Sequence, residues 1–215
     1  MVQIKTPTPQ DEHRRAARPL DLDKIKAKDP LDQDQRSIEF LLGTRLYADG
    51  IVILRDGEVV SEQYWHGLAR QDARLLLDAT RPVLSMIGAI AVTQGKIKPD
   101  QSIIRLVPEL SEQTELRKLS LQRLLEANSR YEWSAQELSD WRTAGGWHGG
   151  SDGHGMRRWL SQPDLWERKM VEAGRHTLDA GPDGDLLTWA LAAASQQPLA
   201  QVFCEQIYRR MRPEN

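Results

Sequence analysis

The chain has one cysteine, two phenylalanines and no long apolar run among its 215 residues. A single thiol, Cys204, excludes an intrachain disulfide framework and a zinc site built from cysteines. No segment approaches the roughly 20 consecutive apolar residues that cross a bilayer. Residues 1–7 also lack the apolar centre of a secretory signal. We therefore expect a cytoplasmic protein that does not bind membranes.

The charge is nearly balanced, since 29 Lys and Arg oppose 31 Asp and Glu for a net charge of -2. That balance provides no general attraction to nucleic acid, so none is expected as a partner. No glycine-rich phosphate loop followed by Lys and Ser or Thr is present, which leaves nucleotide binding without support. We expect no cofactor. A chain of this length buries roughly 70% of its unfolded surface, enough for one core or two small ones.

Composition predicts two regions. Residues 1–36 hold four prolines, many charges and few large apolar side chains. Such a segment cannot bury enough apolar surface to offset its own ordering entropy, so it is predicted to be an arm. From residue 37 onward the apolar residues become periodic, and residues 37–215 are predicted to form the folded domain.

The folded region begins with a hairpin and continues with helices. Two β-branched runs flank Asp56-Gly57, a pair typical of tight hairpin turns because both residues tolerate positive φ. Apolar spacing predicts a buried helix over 79–95. Shorter helical patterns follow at 120–125, 156–160, 165–171, 186–194 and 198–211. One hairpin followed by helices favours an α+β architecture over repeated βαβ units.

The order of these pieces resembles the serine β-lactamase and penicillin-binding-protein-like hydrolases, especially their class C and esterase branch. The resemblance is carried by the hairpin at 49–60, Ile-Ala-Val-Thr-Gln-Gly-Lys-Ile at 90–97, Leu-Val-Pro-Glu-Leu at 106–110, and the segments 119–133 and 198–208. It implies a β-lactamase/transpeptidase-like α+β fold, mostly helical, with an N-terminal β-hairpin and a reduced sheet.

The sequence departs from the family at the start of the buried helix. Family enzymes carry Ser-x-x-Lys there, where the Ser is acylated and the Lys assists removal of its proton. The matching residues are Asp78, Ala79, Thr80 and Arg81. Arginine is not deprotonated at working pH and cannot act as a base. Asp78 is also a favoured helix N-cap, so neither residue is expected to be catalytic.

The other family motifs are altered or absent as well. The Tyr-x-Asn or Tyr-x-Ser motif matches Leu178-Asp179-Ala180, and neither Leu178 nor Ala180 can transfer a proton. The Lys-Thr-Gly or His-x-Gly motif would follow the helix at 198–211, close to where the sequence ends. In the family's Ser-Gly motif, Ser129 matches the Ser and Arg130 replaces the Gly. The sequence shows no base that would activate Ser129. We therefore expect a truncated relative that lacks its catalytic motifs.

Two functions follow from this resemblance. The first is a β-lactamase-related protein that has lost serine-hydrolase activity and acts as a binding, assembly or regulatory module. The alternative is a divergent ester or amide hydrolase that uses a nucleophile other than Ser, such as Asp78, or a metal-activated water. Fold alone does not decide between them.

The hairpin also predicts a partner. A lone two-stranded sheet is marginally stable in water, and an exposed edge strand invites pairing. We expect a homo-oligomer, a second subunit or the N-terminal arm to complete the sheet.

The most unusual stretch is the glycine-rich loop at 145–155. His148, Asp152 and His154 could hold a metal, although their spacing matches no strong metal signature. Together with Trp147 they could instead contact a small-molecule ligand, and a plain surface loop is the third interpretation. Five of the seven tryptophans fall in the middle third, which indicates an aromatic core or an aromatic pocket: Trp133, Trp141, Trp147, Trp159 and Trp166.

Overall fold

The computed structural model describes residues 14–76, 79–147, 155–167 and 181–211. The chain divides into two compact units, with the division between residues 75 and 76. Four strands lie in the first unit: β1 (Lys26–Lys28), β2 (Gln35–Ser37), β3 (Gly50–Arg55) and β4 (Glu58–Tyr64). It also contains the short helix α1 (Ile38–Phe40), which continues as a π-helical turn, Leu41–Arg45. The predicted boundary between an arm and a domain at residue 36 stays a prediction.

The hairpin of the first unit is formed by β3 and β4, and it confirms the predicted turn. The two strands pair antiparallel around Asp56 and Gly57, whose φ angles are 55° and 80°. Ile53 faces Ser61, whereas Leu54 faces Val59, so Val60 has no opposite residue and forms a β-bulge.

Part of the predicted arm lies along the outer edge of β4. The amide of Val59 donates to the carbonyl of Arg14 at 2.9 Å, and the amide of Ala16 donates to the carbonyl of Val59 at 3.0 Å. Leu20 donates in the same way to Val60 at 2.6 Å. Residues 14–20 therefore satisfy backbone groups that β4 would otherwise expose at its bulge.

The second unit is helical in the residues that the structure describes. Its helices are α2 (Thr80–Thr93), α3 (Ile103–Leu106), α4 (Leu121–Leu125), α5 (Ala135–Ala144), α6 (Met156–Leu160), α7 (Gly181–Ser195), α8 (Leu199–Phe203) and α9 (Arg209–Met211). Two 3₁₀ turns, Pro108–Leu110 and Thr114–Lys118, and a π-helical turn, Cys204–Tyr208, complete them. No helix in the described part of the chain is long and apolar enough to cross a membrane.

Helix α7 forms the centre of this unit. It contacts α2, α3, α4, α5, α6 and α8. The buried apolar side chains that pack against these neighbouring helices include Leu186, Leu187, Trp189, Ala190 and Leu191. Gly88 lets α2 approach Leu125 at the end of α4, since a Cβ atom at position 88 would lie 2.2 Å from a Leu125 methyl carbon.

Most predicted helices are confirmed with shifted ends. The helix predicted over 186–194 begins earlier, at Gly181. The pattern at 165–171 is not helical over its described residues, 165–167. The turn there places Asp164 at a φ of 64°, and the indole N–H of Trp166 donates to the carbonyl of Leu160 at 2.8 Å. This long side chain is thus directed back over α6, and the local apolar spacing does not become a helix.

Candidate functional site

Arg81 lies in the first turn of α2, and its guanidinium is half-buried. Its Nη2 donates to the carbonyl oxygen of Leu124. Its Nε and Nη1 are buried and have no hydrogen-bond partner in the part of the chain that the structure describes. Burial lowers the pKa of Arg81, and the negative charge of Asp183 acts in the opposite direction. The side chain remains a cation at neutral pH with unused donor capacity.

Asp183 is the acidic counterpart of Arg81. It lies in the first turn of α7 and is almost completely buried. One carboxylate oxygen accepts from the Ser129 hydroxyl and the other from the indole N–H of Trp133 at 3.3 Å. Burial raises the pKa of Asp183 to about 6, while both hydrogen bonds and the charge of Arg81 act against that rise. The carboxyl therefore changes its protonation state just below neutral pH.

The start of α7 brings Arg81 and Asp183 into one cluster. Gly184 follows Asp183, and a Cβ atom at position 184 would lie 3.6 Å from Nη1 of Arg81. One residue further, Asp185 accepts from the indole N–H of Trp141 at 2.7 Å, and burial raises the pKa of Asp185 as well. We call Arg81, Ser129, Trp133 and Asp183 the Arg81 cluster.

Ser129 of the Arg81 cluster and the adjacent Arg130 lie in a loop of the backbone. The Ser129 hydroxyl donates to Asp183 and accepts from the amide of Tyr131 at 3.2 Å. Arg130 has a φ of 68°, the left-handed conformation that glycine adopts readily. A residue with a Cβ atom adopts this conformation at a cost of roughly 1–2 kcal/mol.

Two of the predicted site residues can be placed in the structure. Arg81 belongs to the cluster above. Trp147 is about half exposed, and its ring lies over Gly145 with its centroid 6.5 Å from that of Trp141. The other predicted site residues lie outside the described residues: Asp78, His148, Asp152, His154, Leu178 and Ala180. Within the described ranges, no group of three or more His, Cys, Asp or Glu side chains could hold a metal ion.

The sequence did not identify Asp183 as a site residue. It is 54 positions from Ser129, and no local pattern links the two. The available signal was an acidic residue at the start of an apolar helical segment, a position where aspartate is also common because it interacts favourably with the helix dipole.

The five tryptophans of the middle third differ in their exposure to solvent. Trp159 and Trp166 are buried, Trp133 and Trp141 are half-buried, and Trp147 is exposed.

We expect the stability of the protein to depend on the protonation of Asp183. Its pKa is raised from 3.8 to about 6, so between these values the folded state holds a proton that the unfolded state releases. The resulting stabilisation is fully present below pH 3.8 and is lost as the pH rises through about 6. Relative to Asp183→Asn, the wild type should gain on the order of 2–3 kcal/mol of unfolding free energy between pH 7.5 and pH 4.

Urea unfolding of both proteins at several pH values tests this expectation. The subtraction removes contributions from carboxylates that both proteins share. A difference that stays constant from pH 7.5 to pH 4 would show that the pKa of Asp183 is not raised.

Comparison with known proteins finds one similar solved structure and one similar sequence that bear the same hydrolase name. The chain has an α+β fold that it shares with a solved structure bearing a hydrolase name. A solved structure from Bacillus anthracis, provisionally named a 6-aminohexanoate-dimer hydrolase, superposes with a TM-score of 0.72 at 16% identity. The match covers 95% of this chain and 54% of that one.

The relation is also visible in sequence. The 6-aminohexanoate-dimer hydrolase of Paenarthrobacter ureafaciens is 28% identical over 110 residues, which are 49% of this chain and 28% of that protein. The chain thus spans about half the length of the solved relative, and its match covers little more than a quarter of the curated one. No model of a known protein family matches the chain.

Proposed function

We propose that this protein is a β-lactamase-fold relative that has lost serine-hydrolase chemistry and acts as a binding, assembly or regulatory module. The proposal rests on Arg81. By resemblance it occupies the position of the family's proton-accepting Lys, yet a guanidinium cannot accept a proton at working pH. It is instead a fixed donor to the carbonyl of Leu124.

The serine hydroxyls near this helix support the same proposal. Ser85, in the second turn of α2, donates to the carbonyl of Leu125 at 2.9 Å. Ser129 is buried and donates to Asp183. An activated nucleophile needs a neighbouring base and access to substrate. Ser85 faces a carbonyl rather than a base, and Ser129 has a carboxylate beside it but is closed off from solvent.

The Arg81 cluster favours a carboxylate-bearing ligand. Nε and Nη1 of Arg81 are two donors without a partner in the described structure, and hydrogen bonds from a guanidinium to a carboxylate are strengthened by the opposite charges. The compound in the relatives' names, 6-aminohexanoate dimer, carries a carboxylate and is a reasonable first ligand to test.

The alternative is a divergent ester or amide hydrolase that uses Asp78 or a metal-activated water. It is favoured by the hydrolase names of both relatives. It is also favoured by Asp183, which exchanges a proton near neutral pH within the Arg81 cluster.

Turnover and binding assays on the same preparations separate these proposals. We expect no hydrolysis of 6-aminohexanoate dimer, a short-chain aryl ester or a chromogenic β-lactam above the buffer rate. We expect calorimetry to detect binding of the dimer, weakened about tenfold to a hundredfold by Arg81→Gln, since a charged hydrogen bond is lost. The matched control is Arg105→Gln, which removes an exposed guanidinium from α3.

Each unfavourable result has a distinct meaning. Hydrolysis that disappears in Asp78→Ala would contradict the proposal and establish the alternative. Hydrolysis that a chelator removes would indicate a metal-activated water. Dimer binding that is equally strong in Arg81→Gln would separate the ligand site from the Arg81 cluster.

A further inference from the structure

The hairpin of the first unit has two outer edges, and only one is occupied in the described structure. Residues 14–20 cover the edge of β4 around its bulge. On the other strand, the carbonyl of Asp49 accepts from the amide of Trp65 at 2.8 Å. Asp49 therefore directs its backbone groups toward β4. Because antiparallel bonding alternates, Ile51 and Ile53 also face β4. Gly50, Val52 and Leu54 must therefore direct their N–H and C=O groups outward.

The outer edge of β3 lacks the features that usually protect an edge strand. From Gly50 to Leu54 it contains no charged residue and no proline. Val52 and Leu54 are 48% and 47% exposed. In the described parts of the chain, no backbone group outside the hairpin bonds to the three outward residues. An uncovered, apolar and uncharged edge of this kind is a template for pairing with another strand.

We propose that two copies of this chain associate through β3, with the two strands antiparallel and Val52 on the two-fold axis. Only residues whose backbone groups point away from β4 can bond to the second copy. A symmetric register must therefore place Gly50, Val52 and Leu54 of one copy opposite members of the same set in the other. Centring on Val52 pairs all three outward residues: Val52 with Val52, and Gly50 with Leu54 in both directions. Each such pair exchanges two hydrogen bonds. Moving the axis to Ile51 or Ile53 leaves only two pairs within β3.

The side chains of this register are complementary as well. On one face Ile51 lies opposite Ile53 of the second copy, and β-branched pairs stabilise adjacent strands. One position further, Asp49 lies opposite Arg55 of the second copy, so opposite charges meet at both ends of the interface. Among the described residues of one copy, Asp49 forms a loose, exposed ion pair with Arg74, at 3.8 Å. This charge match favours a second copy over an unrelated strand, and the interface is isologous as a two-fold axis requires.

Sedimentation equilibrium of the 215-residue chain tests the proposal. We expect a concentration-dependent dimer whose dissociation constant rises about tenfold or more in Val52→Lys, because two ammonium groups would meet on the axis. Leu31→Lys is the matched control: it adds the same charge at an exposed apolar residue between β1 and β2 and should leave the dimer unchanged. Circular dichroism would establish that each variant remains folded.

A charge exchange tests the register itself. Asp49→Arg should weaken the dimer, since it faces Arg55 of the second copy, and adding Arg55→Asp should restore it. A dimer that Val52→Lys leaves intact would overturn the proposal by placing the interface elsewhere. A monomer at all concentrations, with a rapidly exchanging Val52 amide, would overturn it too. A monomer with that amide protected would assign the edge to another segment of the same chain, which likewise contradicts pairing between copies.

Discussion

Replacement of Asp183 by Ala is expected to lower the free energy of unfolding by about 3–5 kcal/mol at pH 7.5. The substitution removes the acceptor for the Ser129 hydroxyl and for the Trp133 indole N–H. It also leaves the half-buried charge of Arg81 without the opposite charge that acts on it. Removing the acceptor of a buried donor costs about 1–3 kcal/mol, and more where the acceptor is charged.

Urea unfolding measures this loss, and two further variants interpret it. Asp183→Asn retains an acceptor oxygen of similar shape, so its loss should be smaller than that of Asp183→Ala. Asp140→Asn changes an exposed carboxylate on α5 and should stay within about 0.5 kcal/mol of the wild type. If Asp183→Ala behaved like this surface control, the Arg81 cluster would not hold α2 and α7 in place.

Replacement of Trp166 by Ala should destabilise the helical unit by about 3–5 kcal/mol. Trp166 is completely buried, and its ring meets those of Tyr131 and Trp133 edge-on at centroid distances of 5.2 and 5.3 Å. Its indole N–H also satisfies the carbonyl of Leu160. The substitution leaves a large cavity and one unpaired carbonyl in the core.

Thermal and urea unfolding check this prediction, with Trp147→Ala as the matched control. Trp147 is about half exposed, so its removal should change the unfolding free energy by less than about 1 kcal/mol. Trp166→Phe keeps an aromatic ring but not the N–H, and should lie between the two. Equal losses at positions 147 and 166 would contradict the assignment of Trp166 to the core.

The elements that sequence predicted well are those whose signals are local. The turn at Asp56-Gly57 depends on two adjacent residues that tolerate positive φ, and the structure shows both in that conformation. Helix α2 depends on apolar spacing within one segment. The helix predicted at 165–171 failed over its described part because Trp166 packs back toward Leu160, a tertiary contact that periodicity does not register.

The candidate site divides in the same way. The sequence drew attention to Arg81 only as the residue that matches the Lys of a four-residue family motif, and it was expected not to be catalytic. The counterion of Arg81 was not identified, since Asp183 lies about a hundred residues further along and reaches the cluster only when α7 packs against α2. Burial then raises the pKa of Asp183 to about 6. The residues adjacent to Asp183 in sequence do not indicate this burial, because distant segments cause it.

By itself, the sequence determined the hairpin and the main helices, and it carries the resemblance to β-lactamase-like hydrolases that places Arg81 opposite a Lys. All of these depend on residue types at short, regular spacing. Only the tertiary structure decided that Ser129 donates to Asp183, that residues 14–20 cover β4, and that no residue in the described part of the chain pairs with the outer edge of β3. The physical reason is that hydrogen bonds between backbones hardly depend on which side chains are present. The energy of a buried charge depends on the groups packed around it, and these come from distant segments of the chain.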